Sequence, residues 1–151
     1  MSRRLSALTA ILAFALAACG SYEVSEPIDL DPDRTYTYNA YGEDGRRLLT
    51  GTIVLHPRTA RPASFEQEFE GEWNIRWAPG ADTTVMVGPQ VGSGWLSGVA
   101  TEDGITIQLP QITVDNGVVL TGTVRNNAFR GEWSVITIAG PMAGGEFTAN
   151  D

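Results

Sequence analysis

The chain reads as all-β, a small antiparallel up-and-down β-barrel of about eight or nine strands, with a two-sheet β-sandwich as the alternative. Three observations predict it. Turn signals recur every 8 to 15 residues from Gly42 onward, with β-branched and aromatic runs between them. The run from Phe65 to Trp77 alternates: Phe65, Gln67, Phe69, Gly71, Trp73, Ile75 and Trp77 take one parity, and Glu66, Glu68, Glu70, Glu72, Asn74 and Arg76 the other. Strands send alternate residues to opposite faces, so this segment has one apolar and one charged face. Glycines also fall on the apolar parity, as in Leu49-Gly51-Ile53 and Phe69-Gly71-Trp73. An inward glycine lets a strand bend sharply, or lets a ring lie on its backbone, and both help a sheet to close.

In chain order, strands are expected over 34–41, 47–56, 65–77, 83–88, 94–100, 105–110, 117–125, 128–138 and 145–149. The first has Tyr36 and Tyr38 on one parity and is closed by the turn Gly42-Glu43-Asp44-Gly45. His56 precedes Pro57 at the start of an expected loop that reaches Ser64. In 65–77 the spacing of Phe65, Phe69, Trp73 and Trp77 also suits a helix. A helix would place Glu66 beside Glu70 and hold Gly71 in its interior, at about 1 kcal/mol, so strand is preferred. Later breaks are expected at Ala78-Pro79-Gly80, Glu102-Asp103-Gly104, Asn126-Asn127 and Gly140-Pro141. Asn116-Gly117 is the sharpest, because both residues tolerate the positive φ of a type I′ hairpin turn.

An internal repeat runs through the same segments. Leu49-Thr50-Gly51-Thr52-Ile53 returns as Leu120-Thr121-Gly122-Thr123-Val124, and Phe69-Glu70-Gly71-Glu72-Trp73 as Phe129-Arg130-Gly131-Glu132-Trp133. Each copy reads as a β-hairpin, and the two would form halves of one barrel.

The first 33 residues stand apart from this domain. Arg3 and Arg4 precede an uncharged, mostly apolar run from Leu5 to Ala18, which ends in Leu16-Ala17-Ala18-Cys19 and is followed by Gly20. The run is shorter than the roughly 20 residues of a membrane-spanning helix and suits a secretory signal. The boundary resembles the lipobox of bacterial lipoproteins. The resemblance implies cleavage between Ala18 and Cys19, acylation of the Cys19 sulfur (a palmitate-type lipid) and anchoring in a bilayer. Gly20 in place of Asp after the cysteine implies the cell outer membrane. Residues 1–18 are then the signal peptide, 19–33 an acidic, proline-containing tether reaching about 20 Å, and 34–151 the barrel domain.

Composition narrows the function classes. Lysine is absent, so lysine Schiff-base chemistry is excluded. A single cysteine forms no internal disulfide, and with one histidine it builds no ordinary zinc site. Loss of residues 1–18 leaves eight arginines against eighteen carboxylates, a net charge of −10. Such a body is repelled by nucleic acid and anionic lipid, so no nucleic-acid partner is expected. No Gly-x-Ser-x-Gly, Walker or His-Glu-x-x-His pattern occurs. No cofactor and no catalytic residue is assigned. Glu66, Glu68, Glu70 and Glu72, about 7 Å apart along a strand, read as a solvated face, with loose calcium binding as the alternative.

Trp73, Trp77, Trp95 and Trp133 remain as candidates to line a pocket if their rings converge inside the barrel, against the plainer reading that they fill the core. Length and hairpin rhythm resemble calycin-type barrels such as avidins and lipocalins in architecture alone. The Gly-x-Trp that opens a lipocalin's first strand falls here in later strands, at Gly71-Glu72-Trp73 and Gly131-Glu132-Trp133. The expected function is that of a membrane-anchored, non-enzymatic lipoprotein whose β-domain binds an envelope protein or has a structural role. A barrel binding a small apolar or aromatic ligand is the first alternative, and a hydrolase with a carboxylate site the second.

Overall fold

The computed structural model describes residues 33–58, 66–101, 104–113, 116–125 and 128–151, with backbone only for 110–113. Eight strands run in order: β1 (Arg34–Tyr41), β2 (Arg47–Pro57), β3 (Gln67–Trp77), β4 (Gly92–Thr101), β5 (Gly104–Thr113), β6 (Asn116–Arg125), β7 (Ala128–Thr137) and β8 (Gly140–Asn150). Each pairs antiparallel with the next, and β1 pairs with β8 to close the barrel.

The alternation read in β3 is the wall of this barrel. Phe69, Gly71, Trp73 and Ile75 are buried, while Glu68, Glu70, Glu72, Asn74 and Arg76 are exposed. The interior is filled by Tyr36, Tyr38, Leu49, Ile53, Leu55, Ile107, Leu120, Phe129, Val135 and Phe147, each no more than 2% exposed. An internal void large enough for water would leave accessible surface on the side chains lining it, and these have almost none. An eight-stranded barrel is narrow enough for side chains to fill. Here aromatic pairs do much of the filling: Tyr36 meets Phe129 with ring centroids 4.5 Å apart, and Tyr38 lies along Phe147 at 6.0 Å.

Both uses foreseen for inward glycines are present. A β-carbon on Gly71 would overlap the Val54 carbonyl oxygen, and one on Gly131 that of Thr121. The chains approach there more closely than any side chain permits, which lets the wall curve. At Gly98 the ring of Phe69 occupies the place of a side chain.

The repeated motifs fall in β2–β3 and β6–β7, on opposite sides of the barrel, but their registers differ. Leu120 faces Trp133, whereas its counterpart Leu49 faces Trp77, four residues beyond the equivalent Trp73. The hairpins are alike in sequence and not superposable in pairing.

Four expectations of local structure are corrected. Residues 83–88 are not a strand. Thr84 donates its backbone N–H and its hydroxyl to the Asp82 carboxylate, which also lowers the Asp82 pKa, and a 3-10 turn, Gly88–Gln90, follows with Gly88 at φ 63°. These contacts divert a β-branched run that would otherwise suit a ladder. Residues 140–144 belong to β8, with the turn at Ile138 and Ala139; Gly140 at φ 107° follows it. Thr113 pairs with Asn116, so Asn116-Gly117 opens β6 instead of forming the turn, and the connection 114–115 lies outside the described residues. The loop expected from His56 begins later: His56 belongs to β2, as the expected strand 47–56 had it, and β2 runs on to Pro57 opposite Phe69. Proline is tolerated there because it stands at the strand's end.

The long connection from Ala78 to Val91 caps one end of the barrel. Val87 joins the core, and Gly88 sits against Val118 and Val135 so closely that no side chain would fit. Gln90, fully buried, accepts a hydrogen bond from the Tyr38 hydroxyl (3.0 Å) and donates one to the Val87 carbonyl (2.7 Å). The cap is thus tied to the barrel floor through one buried polar pair.

Candidate functional site

An even number of up-and-down strands puts the start of β1 and the end of β8 on the same side. Asp33 and Asp151 share one end of the barrel with the connections after β2, β4 and β6. The connections after β1, β3, β5 and β7 share the other. Both ends carry ion pairs, and they differ in exposed apolar surface. At the end holding Asp33 and Asp151, Arg34 pairs with Asp151, His56 Nδ1 lies 2.6 Å from Asp33, and Arg58 pairs with Glu70, while at the other end Arg46 pairs with Asp44. At the opposite end, or in the strand segments leading to it, lie all the large apolar side chains left exposed among the described residues: Val85, Met86, Val91, Trp95, Ile136, Ile138 and Met142. Ile138 is 88% exposed and Trp95 67%. Such grouping is unusual on a monomer surface, where exposed apolar residues are normally scattered singly.

Two depressions lie on this apolar half. One, of about 520 Å³, is rimmed by Val85, Met86, Met142 and Ala143, with Trp133 at its base and Asp44, Arg46 and Asp82 on its polar side. The other, of about 700 Å³, runs down the outer wall between Trp95, Leu96 and Ser97 of β4 and Gln108 and Leu109 of β5. Val118, Val119 and Ile136 border it, and Glu70 stands at its far side.

β4 pairs with β3 from Gly92 to Ala100, and its described pairing with β5 runs from Ser97 to Thr101. β5 pairs with β6 irregularly between Leu109 and Thr113, a stretch that contains Pro110, which has no N–H to donate. The groove lies beside the last of the described β4–β5 pairs, Ser97 and Gln108.

The four tryptophans do not converge on one cavity. Trp73 and Trp133 are buried in the core, and Trp77 packs half-buried at its edge. Trp95 points outward and lines the groove. Trp133 donates its Nε1–H to the Tyr41 carbonyl at 2.9 Å. It crosses Gly145 to do so, just beyond the last β1–β8 pair, and fastens the closing seam. Trp73 Nε1 is the one buried side-chain donor or acceptor without a hydrogen-bond partner among the described residues; its ring lies over Gly94 of β4. Cys19 and Ala18 lie outside the described residues. Among those described, no group of three or more His, Cys, Asp or Glu is placed to hold a metal ion.

Sequence reasoning missed the apolar end, whose signals were Met86, Ile138 and Met142, each beside a turn. Comparison with protein-family models, curated proteins and solved structures gives no match.

Proposed function

We propose that this chain is a lipid-anchored envelope lipoprotein that binds a protein partner through the apolar end of its barrel. The observation carrying the proposal is the segregation of exposed apolar side chains to the end opposite Asp33. An anchor N-terminal to Asp33 joins the barrel at the end that holds Asp33 and leaves the apolar end uncovered by that attachment. The lipobox-like Leu16-Ala17-Ala18-Cys19 supports the anchor. The outer wall supports it too, since outward Glu68, Glu72, Arg130, Glu132 and Glu146 are unsuited to hydrocarbon, the reverse of a transmembrane barrel. Attachment then falls to acyl chains, two or more of which hold a protein firmly. The packed interior favours a partner on the surface over a small ligand on the barrel axis.

Photo-crosslinking in intact cells tests the reading. A photoreactive residue at Ile138 or Met142 is expected to give a discrete adduct that Met86→Asp abolishes, while one at Arg58 gives none. Adducts from both ends alike, or from neither, overturn the partner reading. Cys19→Ala is expected to move the chain from the membrane to the soluble fraction; retention would overturn the anchor.

A further inference from the structure

We infer that the outer wall formed by β1, β2 and β3 carries a binding site for a short saccharide segment that bears one carboxylate. The site lies on the wall between the two ends and does not depend on the apolar end.

The pairing of the three strands sets six side chains in two rows, Thr37, Thr52 and Asn74 in one and Asn39, Thr50 and Arg76 in the other. All six are half-buried or exposed, while their strand neighbours Tyr38, Ile53 and Ile75 are buried in the core. An open depression of about 370 Å³ lies over these rows, lined by Thr37, Thr50, Thr52, Asn74, Arg76 and Gly51. It falls where β2 and β3 draw close together: a β-carbon on Gly51 would lie 2.1 Å from the Asn74 carbonyl oxygen. The rows offer hydroxyls, carboxamides and one guanidinium, with neither a carboxylate nor an aliphatic or aromatic side chain among them. Elsewhere the outer wall is acidic, with Glu68, Glu70 and Glu72 on β3, Glu132 on β7 and Glu146 on β8 all exposed. Among the described residues no carboxylate pairs with Arg76. On its own strand the nearest outward one is Glu72, about 13 Å along β3. Asn39 has its acceptor occupied: Thr50 donates its hydroxyl to Asn39 Oδ1 at 3.1 Å, and Arg47 donates to the same oxygen at 3.5 Å. Its amide nitrogen is left to donate outward.

This set of groups selects a ligand class. Hydroxyls and carboxamides both donate and accept, as sugar hydroxyls do. The face has no apolar area to hold an acyl chain or a hydrophobic side chain. The acidic body repels a polyanion, whereas a single guanidinium free of any carboxylate matches a single carboxylate in a two-bond, charge-assisted pair. Three strands make a row of about 10 Å, the span of about two linked sugar rings. The fitting ligand is therefore neutral sugars over the Thr and Asn side chains, with one uronate placed at Arg76.

Ligand-observed NMR titration of the full chain in detergent tests the inference. The probes are trisaccharides of glucose, galactose, mannose or N-acetylglucosamine that end in glucuronate or galacturonate, each paired with the same trisaccharide reduced at that carboxylate to the neutral sugar. At least one uronate member should bind about tenfold or more tighter than its reduced counterpart. Arg76→Gln should erase that preference, while Arg58→Gln, an equal change of charge away from the face, leaves it within about twofold. Thr52→Val removes a hydroxyl and keeps the side-chain shape, and should weaken acidic and neutral members alike by about threefold to tenfold. All three positions are exposed, so thermal unfolding should match that of the parent and separate a lost site from a lost fold. A probe set without a binder overturns the inference, as does a reduced member that binds as tightly as its uronate counterpart. Equal losses from Arg76→Gln and Arg58→Gln would assign the effect to overall charge, and loss of binding in Met142→Asp would assign it to the apolar end; either result overturns the site on the wall.

Discussion

Replacing Tyr38 by Phe takes one hydroxyl from the centre of the barrel and leaves every carbon in place. That hydroxyl donates to Gln90 Oε1 at 3.0 Å, and both residues are fully buried. The variant strands a buried carbonyl oxygen with no water to replace its donor, a cost of about 1–3 kcal/mol. With a urea dependence of about 2 kcal/mol per molar, the unfolding midpoint should fall by roughly 1 M. Gln90→Leu should cost at least as much, because the Tyr38 hydroxyl and the Val87 carbonyl both lose a partner. The double variant removes both the Tyr38 hydroxyl and the Gln90 carbonyl oxygen, leaving only the Val87 carbonyl, so its cost should fall short of the sum of the single costs by about 2 kcal/mol or more. Tryptophan fluorescence in urea measures all four proteins. Additivity within about 0.5 kcal/mol would refute the reasoning, since groups sharing a bond cannot act independently. The same residue has a pH signature. Burial holds the Tyr38 hydroxyl well above the ordinary tyrosine value. Above about pH 10 the unfolded chain ionises this tyrosine and the folded one does not, so stability present below that pH is lost as pH rises. Tyr38→Phe should flatten that alkaline decline, and an unchanged slope would count against the assignment.

Three further outcomes are expected. Gly131→Ala should destabilise by about 1–3 kcal/mol or more, because the new carbon overlaps the Thr121 carbonyl; exposed Ser97→Ala, the control, should stay within about 0.5 kcal/mol, both read by thermal unfolding. Trp133→Phe removes the Nε1–H bond to Tyr41 and should lower stability by about 1 kcal/mol, with faster exchange at Tyr41 than at the centre of β2–β3. Asp151 is held below the usual carboxylate range by its hydrogen bond from Arg34, so its contribution is present above the unfolded value near 3.8 and lost as pH falls below it; Asp151→Asn should shrink the acid-side loss of stability.

The parts of the fold legible in the sequence were those governed by period. Phe65 to Trp77 declared its two faces because one parity was apolar or glycine except at Gln67, and the other charged except at Asn74. The closing of the sheet was legible in glycines at Gly51, Gly71, Gly122 and Gly131, all on the core parity. What escaped was set by contacts between distant residues or by short-range bonds that override period. Thr83 to Val87 carry strand residues, but Asp82 captures Thr84, and Gly88-Pro89 breaks the ladder. Trp95 was grouped with the core tryptophans by residue type, although its parity neighbours Ser93 and Ser97 assign it to the outer face. The Tyr38–Gln90 pair joins residues 52 apart and left no local mark.

Strand count explains why a surface at the apolar end is available for binding at all. With eight antiparallel strands, the first and last residues of the domain meet at one end, and the connections after β1, β3, β5 and β7 are forced to the other. The Arg34–Asp151 ion pair and the His56–Asp33 contact belong to the end that holds Asp33 and Asp151. At the opposite end the long 78–91 connection serves two purposes. Its inner side, through Val87 and Gln90, completes the core, and its outer side presents Val85 and Met86 beside Met142. β4 begins directly after this connection, at Gly92, and the Tyr38–Gln90 bond ties the connection to β1.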